Sequence, residues 1–184
     1  MEEIVDSEAL MKKKQIVDLI TSIVLIVVGS ILLIFPLMKV LNVKYVFMAV
    51  LTIYGIMNLI QFVLTSKEKD YEGLFTMIVS IITLIILGFI DTNSNPINLA
   101  LVLFIWIMLM SFVKLKKADY YHDRGKQIWI LKMVLLFLFI LIGLLSVINL
   151  YYEPSVQILV LGFFYFVHGL LELIDPLVNY LIKK

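Results

Sequence analysis

The sequence predicts an all-α membrane protein of six transmembrane helices, arranged as three parallel two-helix repeats with both termini in the cytoplasm. Hydrophobic residues make up 62% of the chain and charged residues only 16%, well below the roughly 25% charged residues of an ordinary soluble domain. A soluble chain could not cover so much apolar surface with polar groups, whereas lipid removes that requirement. Six charge-free runs of at least 18 residues separate the charged segments, and about 20 apolar residues span a bilayer as a helix.

The helix boundaries follow from the ends of these runs. A short cytoplasmic tail is predicted at 1–14, and a single membrane domain at 15–184 that ends in a short tail at 177–184. Membrane barrel strands alternate apolar and polar residues, and these runs do not, so helices that satisfy their own backbone are favoured. The six helices are predicted at about 16–36, 43–65, 72–90, 97–114, 127–149 and 154–176.

The distribution of lysine and arginine predicts the orientation. Twelve of the 15 basic residues fall in segments that share one side of the predicted membrane, and only Lys39 and Lys44 fall on the other. Basic residues concentrate in cytoplasmic segments, so both termini are expected in the cytoplasm. The chain starts Met1-Glu2-Glu3, and because a signal peptide needs a basic start, we expect the first segment to be retained.

An internal repeat relates the first and last helix pairs at an offset of 114 residues. Gly29 and Gly55 are 26 residues apart, and so are Gly143 and Gly169, while the middle pair follows the pattern in degenerate form. At this offset two polar stripes coincide, each spaced along one helix face. They are Tyr54, Asn58 and Gln61 in helix 2, and His168, Glu172 and Asp175 in helix 6. The helix 2 stripe is expected to make hydrogen bonds between helices, and two helices per unit make the copies parallel.

This glycine and proline pattern resembles the HdeD family of bacterial membrane proteins. The matching segments are Gly29-Ser-Ile-Leu-Leu-Ile-Phe-Pro36, Tyr54-Gly55-Ile-Met-Asn-Leu-Ile60 and Gly169-Leu-Leu-Glu-Leu-Ile174. The middle unit departs from the pattern, and the third unit lacks the proline at the matching position. The resemblance covers 15–176 and implies a six-helix protein of the bacterial inner membrane. It links one class of members to acid resistance, and it implies no known reaction.

Five glycines within the predicted spans are expected to mediate helix packing. Small residues let helix backbones approach closely in lipid, where no hydrophobic drive joins the helices. The alternative is that these glycines widen a pathway through the bundle. The five are Gly29, Gly55, Gly143, Gly162 and Gly169.

A candidate intramembrane polar cluster centres on helix 6, where His168, Glu172 and Asp175 share one face. A charge at the bilayer centre costs roughly 2.5–3.5 kcal/mol, so these groups are expected to face the bundle. Lys132 of helix 5 is expected to pair with Glu172 or with Asp18 of helix 1. One interpretation is a proton-responsive or ion-conducting cluster, since histidine titrates near neutral pH. The other is a structural ion pair, with Lys132 reaching toward the interface and Asp175 among the headgroups.

The basic segment between helices 4 and 5 is a candidate site for anionic lipid headgroups, to which each cation would contribute about 1 kcal/mol. Alternatively, its charges only set the orientation. The cations are Lys114, Lys116, Lys117, Arg124 and Lys126. Besides the lipid bilayer, a second copy of the chain or another membrane protein is a candidate partner. The net charge of +1 gives no reason to expect nucleic acid.

No motif of a hydrolase, phosphate loop, dinucleotide site or zinc site occurs, and there is no cysteine. We therefore expect no enzyme activity, cofactor or metal. The first hypothesis is a membrane protein of the envelope or of the acid-stress response, acting by interaction or by modulating the membrane. The alternative is a small channel or transporter for protons, ions or a solute that uses the helix 5–6 cluster. An intramembrane enzyme is the third hypothesis.

Overall fold

The long apolar runs form helices, because only a helix satisfies every backbone group of an isolated segment in lipid. The structure, a computed structural model, describes residues 2–34, 42–65, 71–91, 97–123, 125, 127–152 and 156–182. The helices are α1 (Glu2–Ile34), α2 (Val43–Thr65), α3 (Glu72–Phe89), α4 (Ile97–Asp123), α5 (Ile128–Tyr152) and α6 (Gln157–Ile182). All six are long and apolar enough to cross a membrane. The prediction of six apolar helices in a multi-pass membrane protein is confirmed.

Four helices extend beyond their predicted ends, α5 by three residues to Tyr152. α1 begins at Glu2 rather than near residue 16, and α4 continues past residue 114 to Asp123. The added segments contain no glycine or proline and consist largely of residues that tolerate a helix. α6 continues past its predicted end at residue 176 to Ile182, with Pro176 inside the helix. The end of an apolar run therefore marks the first charged residue of a helix, and the helical backbone can continue beyond it.

Several residues used for the sequence predictions lie outside the described ranges. These are Pro36 and the basic residues Lys39, Lys67, Lys69, Arg124, Lys126, Lys183 and Lys184. The orientation of the termini therefore stays a prediction.

The six helices form a ring of antiparallel neighbours. The most extensive contacts join α1 with α6, α2 with α3, and α4 with α5. The predicted hairpins α1–α2, α3–α4 and α5–α6 make smaller contacts. Large and small contacts therefore alternate three times around the ring. The internal repeat of three two-helix units stays a prediction.

Aromatic side chains fill the middle of the bundle around Trp106 of α4. The rings of Tyr54, Phe139, Phe164 and His168 all have centroids between 5.6 and 6.2 Å from that of Trp106. The bundle half that holds the start of α2 and α4 has a core of aliphatic residues together with Phe47 and Tyr165. Its buried residues include Leu32, Val50, Leu51, Leu87, Leu99, Leu103, Leu150 and Leu161. The polar side chains discussed below are thus confined to the other half.

The outward faces of the helices are apolar. Large exposed side chains include Ile31, Ile53, Ile85, Phe112 and Phe137. So much exposed apolar surface is unfavourable in water and is suited to lipid tails. The bundle is therefore built for contact with a bilayer on its outside and carries its polar groups inside.

Glycines lie where α1 and α6 come closest. A Cβ atom added to Gly29 would lie 2.3 Å from the backbone N of Phe166 and 2.8 Å from the carbonyl O of Gly162. One added to Gly169 would lie 2.8 Å from the backbone N of Ile26. Here the two backbones touch directly, so these glycines adjoin a packed helix and leave no widened path.

Glycines also lie at the contacts of α4 with α5 and of α2 with α3. A Cβ on Gly143 would meet the side chain of Ile107 at 2.8 Å, and one on Gly55 would meet Ser80 at 3.3 Å. Gly73, which was not among the predicted packing glycines, is tighter: its Cβ would lie 2.5 Å from the carbonyl O of Asn58. Gly73 follows Glu72, the first residue of α3. Because it lies at the edge of the apolar run, its packing against α2 could not be predicted from the sequence.

Candidate functional site

Charged side chains from five helices meet inside one end of the bundle, which holds the end of α2, α4 and α6. Lipid and helix packing leave these groups little water, so each needs a partner of opposite charge or a hydrogen bond. We call the set the buried network. Its members are Asp18 on α1, Glu72 on α3, Lys114 and Lys117 on α4, Lys132 on α5, and His168, Glu172 and Asp175 on α6.

Glu172 joins three helices through one oxygen atom. Its Oε1 accepts a hydrogen bond from Nζ of Lys114 on α4. The same oxygen lies 3.1 Å from Nε2 of His168 one turn earlier on α6, and 3.5 Å from the hydroxyl of Tyr54 on α2. Nζ of Lys114 also lies 5.0 Å from the ring centroid of Phe139, within range of a cation–π contact. An ammonium group, an imidazole and a phenol hydroxyl thus surround one carboxylate oxygen.

Asp175 and Lys117 form the second centre of the network. Asp175 Oδ2 accepts a hydrogen bond from Nζ of Lys117 at 2.8 Å, and it also contacts Nζ of Lys132. Lys117 Nζ donates in addition to Oε1 of Glu72 at 2.7 Å. These contacts tie α3, α4, α5 and α6 together at a single depth.

The structure corrects the predicted partner of Lys132. Lys132 contacts Asp175, and neither Glu172 nor Asp18 is its partner. Glu172 is engaged by Lys114 of the adjacent α4, and Asp175 lies one turn further along α6, level with Lys132. The Lys132 side chain is only 4% exposed, so it does not reach out toward the interface, and Asp175 is buried as well.

The sequence interpretation missed Lys114, Lys117 and Glu72. The predicted α4 ended at residue 114, which placed both lysines in a cytoplasmic segment and made them candidates for lipid headgroups. Because α4 continues to Asp123, they instead point into the bundle. The spacing of three residues between Lys114 and Lys117 is the signal that could have placed them on one helix face. Of that basic segment, Lys116 remains 80% exposed.

A polar cavity lies beside the network. It has room for about one water molecule. The helix 2 stripe forms one wall, but it does not make the predicted set of bonds between helices. Asn58 donates to the carbonyl of Tyr54 on its own helix, and only Tyr54 reaches another helix. The cavity is lined by Asp18, Thr21, Tyr54, Asn58, Gln61, Glu72, Thr76, Met110, Val113, Lys114, Lys117, Glu172 and Asp175.

His168 is the deepest titratable member of the network. Its ring centroid lies 5.0 Å from that of Phe139, 5.7 Å from those of Tyr54 and Phe164, and 5.6 Å from that of Trp106. Its Nδ1 has no hydrogen-bond partner among the described residues. His168 therefore marks the boundary between the charged end of the bundle and its apolar half.

Within the described part of the chain, no group of three or more His, Cys, Asp or Glu side chains could hold a metal ion. No protein-family model, curated protein or solved structure matches the chain. The resemblance to the HdeD family stays a prediction. The function is therefore inferred from the network and the cavity themselves.

Proposed function

We propose that the chain is a small transport protein that moves protons, or another small ion, across the membrane. The observation that carries this proposal is the convergence of charges from four helices on one polar cavity inside the membrane domain. Charged groups within a bilayer are costly, and where they occur they commonly mark ion pathways and proton relays. The alternative function derived from the sequence is thus the one that the geometry favours, with the site extended to Glu72 on α3 and to Lys114 and Lys117 on α4.

The contacts at Glu172 suit proton exchange. Its Oε1 lies within hydrogen-bonding range of Lys114, His168 and Tyr54. A proton on His168 Nε2 can therefore be shared with the carboxylate without any movement of the helices. Beyond His168 the bundle is closed by aromatic and aliphatic side chains. Transport therefore requires a second state in which that half opens.

Proton flux into liposomes tests this function. Purified protein reconstituted around a trapped pH dye is expected to collapse an imposed pH gradient faster than protein-free vesicles. Glu172→Gln and His168→Ala are expected to lower that rate at least tenfold, because they remove the two groups that share the proton. Asp119→Asn is the matched control, since Asp119 is an exposed carboxylate on α4 outside the network. Equal rates for the wild type, Glu172→Gln and His168→Ala would reject the proposed pathway.

A second function, a non-transporting membrane protein of the envelope or acid-stress response, is favoured by the closed apolar half of the bundle. The network would then be structural, with its lysines and carboxylates paired to hold the helices. Background flux in every sample would favour it. This function would also agree with membership of the HdeD family, which we propose on the sequence pattern around Gly29 and Gly55.

We also propose that both termini are cytoplasmic and that the membrane is the inner membrane of a bacterium. The chain has no cysteine, so single-cysteine variants can report the orientation directly. Asp119→Cys and Tyr152→Cys place exposed thiols at opposite ends of the bundle. In intact spheroplasts, a membrane-impermeant maleimide is expected to label Tyr152→Cys at once and Asp119→Cys only after permeabilisation. The reverse pattern would contradict the proposed orientation, and the cysteine-free wild type gives the background.

A further inference from the structure

We infer that the polar cavity binds one small monovalent cation of the size of sodium, held between Asp18 of α1 and the side-chain amides of Asn58 and Gln61 on α2. The inference deepens the proposed transport function, on which it rests, because it names the ion that the same cavity would hold. It depends on four observations: a carboxylate without a partner among the described residues, unused neutral oxygens, the charge of the lining, and the size of the space.

The carboxylate is that of Asp18. It lies within the apolar span Lys13–Ile34 and lines the cavity. No hydrogen bond or ion pair of its side chain is found among the described residues. Lys14, one turn earlier on the same helix, is 3.9 Å from Glu72. A carboxylate in such surroundings is stable only with a proton or a nearby cation.

The neutral oxygens come from the facing wall. Gln61 is only 5% exposed, and its amide lines the cavity without a hydrogen bond to any described residue. Asn58 uses its Nδ2 to donate to the carbonyl of Tyr54 at 2.8 Å, which leaves its Oδ1 for another partner. The hydroxyl of Thr21 donates to the carbonyl of Val17 at 2.8 Å, so its oxygen can still accept. Asn58 and Gln61 are buried residues, and the polar groups of buried residues normally have partners; a bound cation would supply one.

The charge of the lining favours a cation. Lys14 and Lys132 contact Glu72 and Asp175 from outside the lining, within which four carboxylates and two lysines face the cavity. Both lysines are engaged by carboxylates other than Asp18. Among the described residues, Asp18 is therefore the lining carboxylate that makes no ion pair with a lysine, and the amide oxygens line the same cavity.

The size of the space limits the ion. Room for about one water molecule admits an ion that has shed its hydration shell and excludes organic cations. A divalent ion such as calcium takes six to eight oxygens, several of them from carboxylates. The other three carboxylates of the lining are tied to lysines. One carboxylate with neutral oxygens is the ligand set of a monovalent ion.

Thermal unfolding of the purified full chain in detergent tests the site without any gradient. Sodium chloride is compared with choline chloride and with potassium chloride at equal ionic strength. Because binding to the folded state alone raises its stability, sodium at about ten times its dissociation constant is expected to raise Tm by about 3 °C or more. A wild-type Tm that is the same in sodium and choline would overturn the inference, and so would a rise with potassium but none with sodium.

Variants then locate the ion. Asp18→Asn is expected to abolish the sodium-dependent rise, and Asp119→Asn, the exposed control, is expected to keep it. If Asp18→Asn fails to fold, radioactive sodium binding to the wild type replaces it, with one ion per chain expected and displacement by unlabelled sodium but not by choline. A sodium response retained in folded Asp18→Asn would overturn the assignment. Absence of a sodium response together with normal proton flux would reject this site alone, whereas sodium binding with background flux would reject transport and keep the site.

Discussion

Lys117→Met is expected to be the most destabilising single substitution in the buried network, lowering the free energy of unfolding by about 3–5 kcal/mol. Lys117 is the shared partner of Glu72 on α3 and Asp175 on α6, at 2.7 and 2.8 Å. Its removal takes a counter-charge from two carboxylates that are each less than 15% exposed. Removing one partner of a buried ion pair costs more than the pair contributes, because the remaining charge has lost its compensation.

The measurement is unfolding in mixed micelles of mild detergent and dodecyl sulfate, followed by circular dichroism. Lys116→Met is the matched control: it is the same substitution at the adjacent position, where the side chain is 80% exposed. It is expected to change the unfolding free energy by no more than about 0.5 kcal/mol. Equal unfolding curves for the two variants would show that the Lys117 contacts contribute no stability.

Gly29→Ala is expected to lower the free energy of unfolding by about 3 kcal/mol, the upper end of the range for overpacking a core. The added methyl group would lie 2.3 Å from the backbone N and 2.7 Å from the Cα of Phe166. Backbone atoms cannot move aside as a flexible side chain can, so α1 and α6 must separate. These two helices make the most extensive contact in the bundle, and their separation would also disturb the ion pairs of α6.

Gly88→Ala is the control for this experiment. Gly88 is also a helical glycine, and a Cβ added to it would meet nothing within 4 Å. Since alanine favours a helix by about 1 kcal/mol over glycine, the control is expected to be neutral or slightly stabilising. The same detergent unfolding assay serves for both variants. A Gly29→Ala protein as stable as the wild type would mean that α1 and α6 are not held together by direct backbone contact.

Much of the helix pattern could be predicted from the sequence, whereas the helix ends could not. The start of α3 at Glu72 and the span of α2 (Val43–Thr65) agree with the predicted positions. The extension of α4 to Asp123 could not be found from hydropathy, because charge stops an apolar run but does not stop a helix. Because of that one difference, the sequence prediction did not include Lys114 and Lys117 in the candidate polar cluster.

The members of the candidate site could be predicted only in part. His168, Glu172 and Asp175 stand out in the sequence because a polar stripe in an apolar span is costly wherever it points. Lys132 stands out for the same reason. Their partners depend on which helices are neighbours in the ring and on which side chains lie at the same depth in the bundle. Neither can be determined from a local stretch of sequence. Gln61 was interpreted as part of a hydrogen-bonding stripe, although in the structure it faces the cavity.

The sequence by itself determined that this protein is a bundle of apolar helices built for a membrane, and that Lys132, His168, Glu172 and Asp175 are polar residues within those helices. Both are consequences of transfer free energy, which each segment carries independently of the rest of the chain. Only the tertiary structure decided that Lys132 pairs with Asp175, that Lys117 bridges Glu72 and Asp175, and that Asp18 faces a polar cavity. Ion pairs act over a few ångströms, so their partners are fixed by the order and depth of the packed helices.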